Sequence, residues 1–179
     1  MLRVGDEVQI SGIVFTGRDA VHKYLAEGGA PPPGLNLRNG ILFHCGPVMQ
    51  QKADGTWECQ AAGPTTSMRE EPYQAAIIRT HGLRGVIGKG GMGQQTLAAC
   101  QECGCVYFHA VGGAAQVLAR HIRHIRNVYF LEEFGAPEAV WELEVADFPA
   151  VVTMDAHGRS LHEEVLRHSQ AAFAAKLSA

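Results

Sequence analysis

Residues 85–123 read GVIGKGGMGQQTLAACQECGCVYFHAVGGAAQVLARHIR, and this stretch decides the fold class. Its apolar pattern predicts a buried strand at Gly85–Ile87 and a helix at about Gln94–Cys103. The same alternation repeats with a strand at Val106–Ala110 and a helix at about Ala114–Arg123. Strands that alternate with helices pair in parallel, so the stretch predicts an α/β fold built on a parallel sheet.

The pattern changes toward the C-terminal end of the chain. We predict three strands with short connections, at Val128–Leu131, Ala139–Val145 and Ala150–Met154, and a last helix at about Leu161–Leu177. The whole chain, residues 1–179, is therefore expected to be a single two-layer or three-layer α/β domain with a parallel part and an antiparallel part.

Shorter elements are predicted in the first eighty residues from local patterns. Thr16 is placed to cap a helix over Arg18–Ala26, and Asp54-Gly55 has the chemistry of a hairpin turn. The other predicted elements are two strands joined at Ser11-Gly12 (Glu7–Ile10 and Ile13–Phe15), strands at Ile41–His44 and Trp57–Gln60, and a helix at about Met68–His81.

Bulk composition excludes several classes of protein. The chain has 179 residues, 46% of them hydrophobic and 18% charged, with a net charge of −3. This is the profile of a soluble globular protein and argues against nucleic-acid binding, which usually needs a basic surface. No apolar run approaches the about 20 residues that a membrane span needs. The opening MLRVGDEVQ lacks an apolar signal core, so we expect a cytoplasmic location.

The cysteine pattern argues against a disulfide framework and against a metal site in this chain. The five cysteines are an odd number, and without a signal peptide reduced thiols are expected. Cys100, Cys103 and Cys105 are close in sequence, but a structural metal site needs four ligands. Their place in a helix that leads into a buried strand is typical of small buried side chains. We therefore predict no metal ligand here.

Two polar clusters at predicted helix starts have the chemistry to bind an anion. Arg18 lies where a strand runs into a helix, so it can grip a carboxylate beside free backbone N–H groups. Its alternative is an exposed charge beside a helix cap. Residues 63–69, GPTTSMR, offer three hydroxyls and Arg69, whereas one hydroxyl suffices for a cap. A small anion would account for the surplus, although all three hydroxyls can also be caps.

A third cluster, GKGGMG at residues 88–93, formally matches G-x-G-x-x-G. The dinucleotide motif also needs an acidic residue about 20 positions later, and that neighbourhood, residues 108–113, contains none. The lysine is followed by Gly90 and not by Ser or Thr, which excludes a P-loop. Lys89 at the end of a strand suits a carboxylate or a developing enolate, and its alternative is an ordinary exposed lysine.

Five stretches in order resemble the C-terminal domain of class I fumarases, which in many microbes is a separate β subunit. They are TGRDAVHKYL at 16–25, GPTTSMR at 63–69, GKGGM at 88–92, VGGAA at 111–115 and FGAPEAVWELEVADFPAVVTMDAHGRSLH at 134–162. L-tartrate dehydratase β subunits are similar through GPTTSMR and GKGGM, but they tend to carry a cysteine where this chain has Gly17. The first stretch is therefore more similar to fumarases.

The resemblance implies a fold, a reaction and a division of labour. The fold would be a swivelling β/β/α three-layer domain. The reaction would be the interconversion of fumarate and L-malate, a small dicarboxylate pair, with dehydration of tartrate or another 2-hydroxy diacid, or a non-catalytic anion-binding module, as alternatives. A four-iron four-sulfur cluster would be bound by three cysteines of a partner α subunit and not by this chain, in an assembly of two α and two β subunits.

The resemblance also assigns residues. Arg18, Arg69 and Lys89 match the cations that bind the substrate carboxylates, and Thr65 matches the threonine proposed to abstract the proton. Thr65 and Lys89 are therefore the expected catalytic residues. A hydroxyl is a poor base at neutral pH, and surrounding cations would favour its ionised form.

Overall fold

The computed structural model describes residues 2–177, and this part of the chain contains eight strands. Six belong to one mixed sheet, and two form a separate antiparallel hairpin. Their bounds are β1 Glu7–Gly17, β2 Ile41–His44, β3 Val48–Gln51, β4 Trp57–Ala61, β5 Gly85–Gly88, β6 Val106–His109, β7 Ile122–Tyr129 and β8 Val140–Met154.

Six α-helices connect or follow the strands within the described residues. None of them is long and apolar enough to cross a membrane. A 3₁₀ helix at Ser67–Glu70 leads directly into the second α-helix. The bounds are α1 Asp19–Ala26, α2 Glu71–His81, α3 Gln94–Cys103, α4 Ala115–Ala119, α5 Leu131–Phe134 and α6 Leu161–Leu177.

The main sheet has the parallel and antiparallel parts that the sequence predicts. Strands β1, β2, β5 and β6 pair in parallel in that order. The long strand β8 then runs antiparallel to β6, and it also pairs antiparallel with β1, so five strands close into a ring. Strand β7 pairs with β8 outside this ring.

Two apolar cores lie on the two faces of the parallel strands, which gives three layers. Leu42, Val86 and Tyr107 face a core that they share with helices α1, α2 and α3. The next residue of each of these strands faces the other core, which is shared with β8, α4 and the β3–β4 hairpin. Because successive side chains of a strand alternate, strands buried on both faces read as continuous apolar runs.

The carboxyl ends of the parallel strands meet in one row and position the candidate site. Gly17 at the end of β1 pairs with His44 at the end of β2, and Gly88 at the end of β5 pairs with His109 at the end of β6. Strands β2 and β5 are in the same register, since Phe43 pairs with Ile87 one residue earlier. Neighbouring strands lie about 4.8 Å apart, so the segments that leave this row are close in space.

The prediction of two strands joined at Ser11-Gly12 is wrong, because β1 is continuous from Glu7 to Gly17. The register against β8 shifts between Ile10 and Gly12, and Gly12 has a φ of +124°. Ser11 thus lies opposite a bulge of β8 at Ala146 and Asp147, and the Ser-Gly pair is not a turn. The N–H of Asp147, itself at a φ of 54°, donates to Ser11 Oγ over 3.0 Å, so irregular positions on both strands face each other.

The predicted helix at Ala114–Arg123 is largely wrong. Helix α4 covers Ala115–Ala119, and β7 already begins at Ile122. The three apolar residues of β7 that face the core, Ile122, Ile125 and Val128, recur every third position. Two bulges, between residues 122 and 124 and between 125 and 127, reset the side-chain alternation and produce this helix-like spacing.

Other elements also differ from the prediction. Ala139–Val145 and Ala150–Met154 are parts of the single strand β8, and β3 and α5 were not predicted. Helix α6 has the predicted bounds, but none of its residues is buried. The hairpin turn at Asp54-Gly55 and the helix at Gln94–Cys103 are confirmed.

Candidate active site

Arg18 lies directly after β1 and is the N-cap residue of α1, although its own side chain makes no capping hydrogen bond. Its Nε atom is 3.3 Å from Glu138 Oε1. The guanidinium also packs on Gly46, where a Cβ atom would stand 2.7 Å from Arg18 Cδ and NH1. Glu138 Oε2 in turn accepts the N–H of Ala20 over 3.0 Å. Arg18 is thus held at the first turn of α1 by a carboxylate and by a glycine that leaves it room.

Arg69 lies on the 3₁₀ helix and meets Arg18 at one carboxylate. Its NH2 atom is 2.6 Å from Asp19 Oδ2, and the NH2 atom of Arg18 is 3.9 Å from the same oxygen. These side chains are partly exposed, so they can reach a solute. Two cations that are 51 residues apart in sequence therefore converge on one small volume.

Thr65 and Lys89 are held together by their backbones. The N–H of Thr65 donates to the carbonyl of His44 over 2.7 Å, and the N–H of Lys89 donates to the carbonyl of Thr65 over 3.3 Å. The N–H of Ser67 returns a bond to the carbonyl of Lys89 over 3.0 Å. The segment that carries Thr65 therefore extends the sheet edge beside the end of β5.

The side chains of Thr65 and Lys89 are oriented differently. The Thr65 hydroxyl donates to the carbonyl of His44 over 3.2 Å, so its lone pairs stay free to accept a proton or a hydrogen bond. The Lys89 side chain passes Gly112, where a Cβ would stand 3.4 Å from Lys89 Cδ. Lys89 forms no ion pair with any residue between 2 and 177.

The sequence reasoning missed a buried polar cluster beneath these residues. It consists of two histidines, a glutamine, a serine and a tyrosine, all fully buried. His44 is its centre, with Nδ1 at 2.8 Å from Ser67 Oγ and Nε2 at 2.8 Å from Gln74 Oε1. His22 Nε2 lies 3.0 Å from the same Gln74 oxygen, and the Tyr107 hydroxyl donates to Ser67 Oγ over 2.8 Å.

This polar cluster supports the candidate residues from below. The Nδ1 atom of His22 is 2.9 Å from the carbonyl of Arg18, and the carbonyl of His44 holds Thr65. Burial lowers the pKa of His22, and burial together with His22 lowers the pKa of His44 to about 3. Both rings are therefore neutral at physiological pH, and they act through hydrogen bonds and not through charge.

Glu70 is a second group that the sequence reasoning missed. Its side chain is 1% exposed, its Oε2 atom has no hydrogen-bond partner, and this atom lies 3.7 Å from His22 Nδ1. Burial and the nearby Asp19 raise the pKa of Glu70 to about 7. The group can therefore gain or lose a proton in the physiological range.

No local pattern could have identified these buried residues, since their contacts join positions 21 to 52 apart in sequence. Gly88 records their presence indirectly. A Cβ at Gly88 would stand 1.8 Å from Ser67 Oγ and 2.8 Å from the Tyr107 hydroxyl. The glycine of the GKGGMG motif is thus required by the polar cluster below it.

Thr16 does not have its predicted role as a helix cap. Its hydroxyl donates to the carbonyl of Ala139 over 3.1 Å and accepts the N–H of Trp141 over 2.9 Å. The residue is buried inside β1, where it joins this strand to the start of β8. Because β1 continues through Gly17, the cap position falls to Arg18.

The residues that could ligate a metal do not form a site within the described part of the chain. No three His, Cys, Asp or Glu side chains between residues 2 and 177 lie close enough to hold an ion. Burial raises the pKa of Cys45 and, to about 11, that of Cys59, and a hydrogen bond with Cys100 together with burial raises the pKa of Cys105. Thiols that stay protonated are poor ligands for iron, so Cys45, Cys59 and Cys105 do not fit an iron–sulfur cluster.

Two larger clefts lie away from the four candidate residues. A cleft of about 870 Å³ lies between β4 and β7, and one of about 540 Å³ lies beside His109 and the middle of β8. Arg18, Thr65, Arg69 and Lys89 line neither of them. The four candidate residues are half-buried or exposed, so a second surface has to cover this edge of the chain before water is excluded.

Comparison with known proteins was made on the whole chain. Residues 1–165 match the family model described as fumarase C-terminus. A protein of Geobacillus stearothermophilus with the provisional name of class I fumarate hydratase is 56% identical over 168 residues, which are 94% of this chain and 32% of that protein. This chain thus spans about a third of that relative.

Two relatives of similar length carry a different name. A provisionally named L(+)-tartrate dehydratase subunit beta of Methanocaldococcus jannaschii is 42% identical over 92% of this chain and 85% of its own length. The L(+)-tartrate dehydratase subunit beta of Escherichia coli K12 is 37% identical over 91% of this chain and 80% of its own length. The names of these relatives therefore point to two different substrates, fumarate and L(+)-tartrate.

Proposed function

Because the chain belongs to the fumarase C-terminus family, we propose that it is the β subunit of a hydro-lyase that interconverts fumarate and L-malate. It would work with an α subunit, in an assembly of two α and two β chains. The relative named as a fumarate hydratase has the higher identity of those described, at 56%, which supports fumarate as the substrate.

The observation that carries this proposal is the meeting of Arg18 and Arg69 at one carboxylate oxygen. Fumarate and malate carry two carboxylates, and a site for them needs at least two well-placed cations. Guanidinium groups match a carboxylate with parallel hydrogen bonds, which a lysine cannot do. Arg18 and Arg69 would bind one carboxylate of the diacid, and Lys89 would bind the other.

In the dehydration direction, Thr65 would remove a proton from the substrate, and Lys89 would stabilise the negative charge that results. Thr65 Oγ1 would first lose its own proton to solvent, and as the alkoxide it would accept the proton from the carbon next to a carboxylate, which restores the hydroxyl that donates to the carbonyl of His44. The negative charge then builds on that carboxylate, and the Lys89 ammonium would stabilise it most strongly in the transition state. The nearby guanidinium groups favour ionisation of the hydroxyl.

The α subunit would supply the four-iron four-sulfur cluster, as the resemblance to class I fumarases implies; in this chain the thiols of Cys45 and Cys105 are buried and their pKa values are raised. When bound, such a cluster provides a Lewis acid for the leaving hydroxyl. The residues of this chain would bind, orient and deprotonate the diacid. Docking of the α subunit on the edge that carries them would exclude water from it.

Dehydration of L(+)-tartrate is the second candidate. The tartrate dehydratase β subunits of Methanocaldococcus jannaschii and Escherichia coli match this chain over 85% and 80% of their own length. Tartrate is also a diacid with a hydroxyl next to each carboxylate, so the same cations would bind it. L(+)-Tartrate differs from L-malate by one additional hydroxyl group.

Anaerobic co-expression with an α subunit tests the proposal. The purified complex should turn over L-malate with at least about tenfold higher kcat/KM than L(+)-tartrate, and the β chain alone should turn over neither. A higher kcat/KM for L(+)-tartrate than for L-malate would establish tartrate as the substrate. A stable complex without turnover of either diacid would contradict an enzymatic role and favour an anion-binding module.

A further inference from the structure

The charges around Arg18 and Arg69 already cancel in this chain. Each guanidinium has a carboxylate partner, Glu138 for Arg18 and Asp19 for Arg69, and Arg18 also approaches Asp19. Two positive and two negative groups leave no net charge, apart from the buried Glu70. A ligand carboxylate that approaches the two arginines would therefore meet a neutral surface and not a cationic one.

The two carboxylates are not equivalent. Glu138 uses its second oxygen to accept the N–H of Ala20, so it has a structural role at the start of α1. Asp19 accepts no backbone N–H between residues 2 and 177 in the bonds described, and its polar partners are the two guanidinium groups. Its carboxylate therefore holds the place that a bound diacid carboxylate would take.

We propose that Asp19 competes with the substrate carboxylate for Arg69 and Arg18 and thereby sets the affinity of the site for carboxylate ligands. In the free chain it keeps Arg69 extended toward Arg18, and a dicarboxylate displaces it on binding. A single carboxylate gains little from this exchange, because one charge replaces another. A diacid gains its second carboxylate contact at Lys89, which has no ion-pair partner in residues 2–177.

This inference rests on the proposed function. It predicts that replacement of Asp19 raises the affinity for the diacid, whereas replacement of a binding-site residue usually lowers it. If Asp19 only supported Arg69, its removal would weaken diacid binding. If Asp19 competes with the ligand, Asp19→Asn should strengthen binding, since the amide keeps the shape and loses the charge. For exposed ion pairs the expected gain is about 1.5- to fivefold at low salt, and it should shrink as salt rises.

The matched control is Glu27→Gln. Glu27 lies just beyond the other end of α1, where it pairs with Lys23 at 3.9 Å, and its replacement changes the net charge by the same amount. The isolated chain and its variants would be titrated calorimetrically with succinate, L-malate and acetate. The assembled complex would be assayed for KM and kcat with L-malate. Asp19→Ser provides a second variant if the asparagine chain does not fold.

For Asp19→Asn the expected result is tighter binding of succinate, L-malate and acetate by a similar factor, because no ligand carboxylate has to displace Asp19, together with a lower KM in the complex. Glu27→Gln should behave like the wild type. Equal or weaker diacid binding together with an unchanged or higher KM overturns the role of Asp19 and leaves the proposed function in place. If the complex turns over no diacid, the proposed function fails, and the succinate titration still decides the competition. Absence of succinate binding in every variant, together with an inactive complex, rejects both.

Discussion

The backbone N–H of Lys89 donates to the carbonyl oxygen of Thr65 over 3.3 Å. This bond, with the parallel bridge between Thr66 and Lys89, ties the GPTTSMR segment to the end of β5. The backbones of Thr65, the proposed base, and of Lys89, proposed to stabilise the developing charge, are therefore held together by main-chain bonds. Such placement is what precise positioning of a reacting group requires.

Replacement of Thr65 by valine removes the hydroxyl and keeps both backbone bonds. We expect kcat for L-malate in the complex to fall by about 100-fold or more, since general-base catalysis contributes about 10²–10⁴-fold. KM should change little, because the cations remain. Steady-state kinetics of the complex measures this change.

Thr66→Val is the matched control for Thr65. Thr66 is exposed, and its side chain makes no cap hydrogen bond at the 3₁₀ helix. The variant should keep kcat within about twofold. Equal losses for the two threonines would show that the segment, and not the Thr65 hydroxyl, matters.

Glu70 should give the stability of the chain a specific pH dependence. Burial and Asp19 raise its pKa from 4.5 to about 7, so the folded chain binds more protons than the unfolded chain between these values. The stability from this group is complete below about pH 4.5 and is lost as pH rises through 7. Glu70→Gln should remove this loss, so its advantage over the wild type should grow from pH 5 to pH 8.

Urea unfolding of the chain at these two pH values measures the effect. The groups that face Glu70 are the carboxylates Asp19 and Glu138, the guanidinium groups of Arg18 and Arg69, and the ring of His22. Because the comparison is between wild type and variant, contributions from other groups that titrate alike in both chains cancel. An advantage that is the same at both pH values would show that Glu70 has an ordinary pKa.

Gly88→Ala should destabilise the chain severely. Its Cβ would stand 1.8 Å from Ser67 Oγ and 3.2 Å from His44 Nδ1, so buried hydrogen-bonded groups have to move. The expected loss is about 3 kcal/mol in the free energy of unfolding. Chemical denaturation of the purified variant measures it.

Gly112→Ala is the control for the loop glycines. Its Cβ would meet only Lys89 Cδ at 3.4 Å, an ordinary contact with a flexible side chain. We expect less than about 0.5 kcal/mol of change. If Gly88→Ala were equally mild, the buried polar cluster would not be as tightly packed as described.

The parallel part of the fold was predictable because each of its elements carries its own local signal. Gly85–Gly88 and Val106–His109 are buried on both faces and read as short apolar runs, and the intervening α3 ends at Gly104 with a φ of +65°. Left-handed glycine at this position is a common helix end. The closing pairing of β8 with β1 left no such signal, since it joins residues more than 125 apart.

The failure at β7 has a physical cause. Bulges place Ile122, Ile125 and Val128 on one face of β7, so this strand lacks the two-residue alternation that separates strands from helices. Local sequence cannot separate the two, because the bulges are defined by the partner strand β8. A tertiary contact thus overrides the local pattern.

The candidate site was predictable only in its charged part. Arg18, Arg69 and Lys89 stand out among glycines and hydroxyls, and the structure brings them to one edge of the sheet; their binding roles stay predictions. His22, His44 and Glu70 carry no local mark, since their meaning comes from burial and from partners distant in sequence.

The most direct test of the account is kcat/KM for L-malate of the assembled complex with Arg69→Ala, measured beside Arg79→Ala. Arg79 is an exposed arginine of α2 that pairs with Glu102, so it controls for loss of a surface cation. The account predicts a fall of about 100-fold or more for Arg69→Ala and less than about twofold for Arg79→Ala. Full turnover by the Arg69→Ala complex would contradict it.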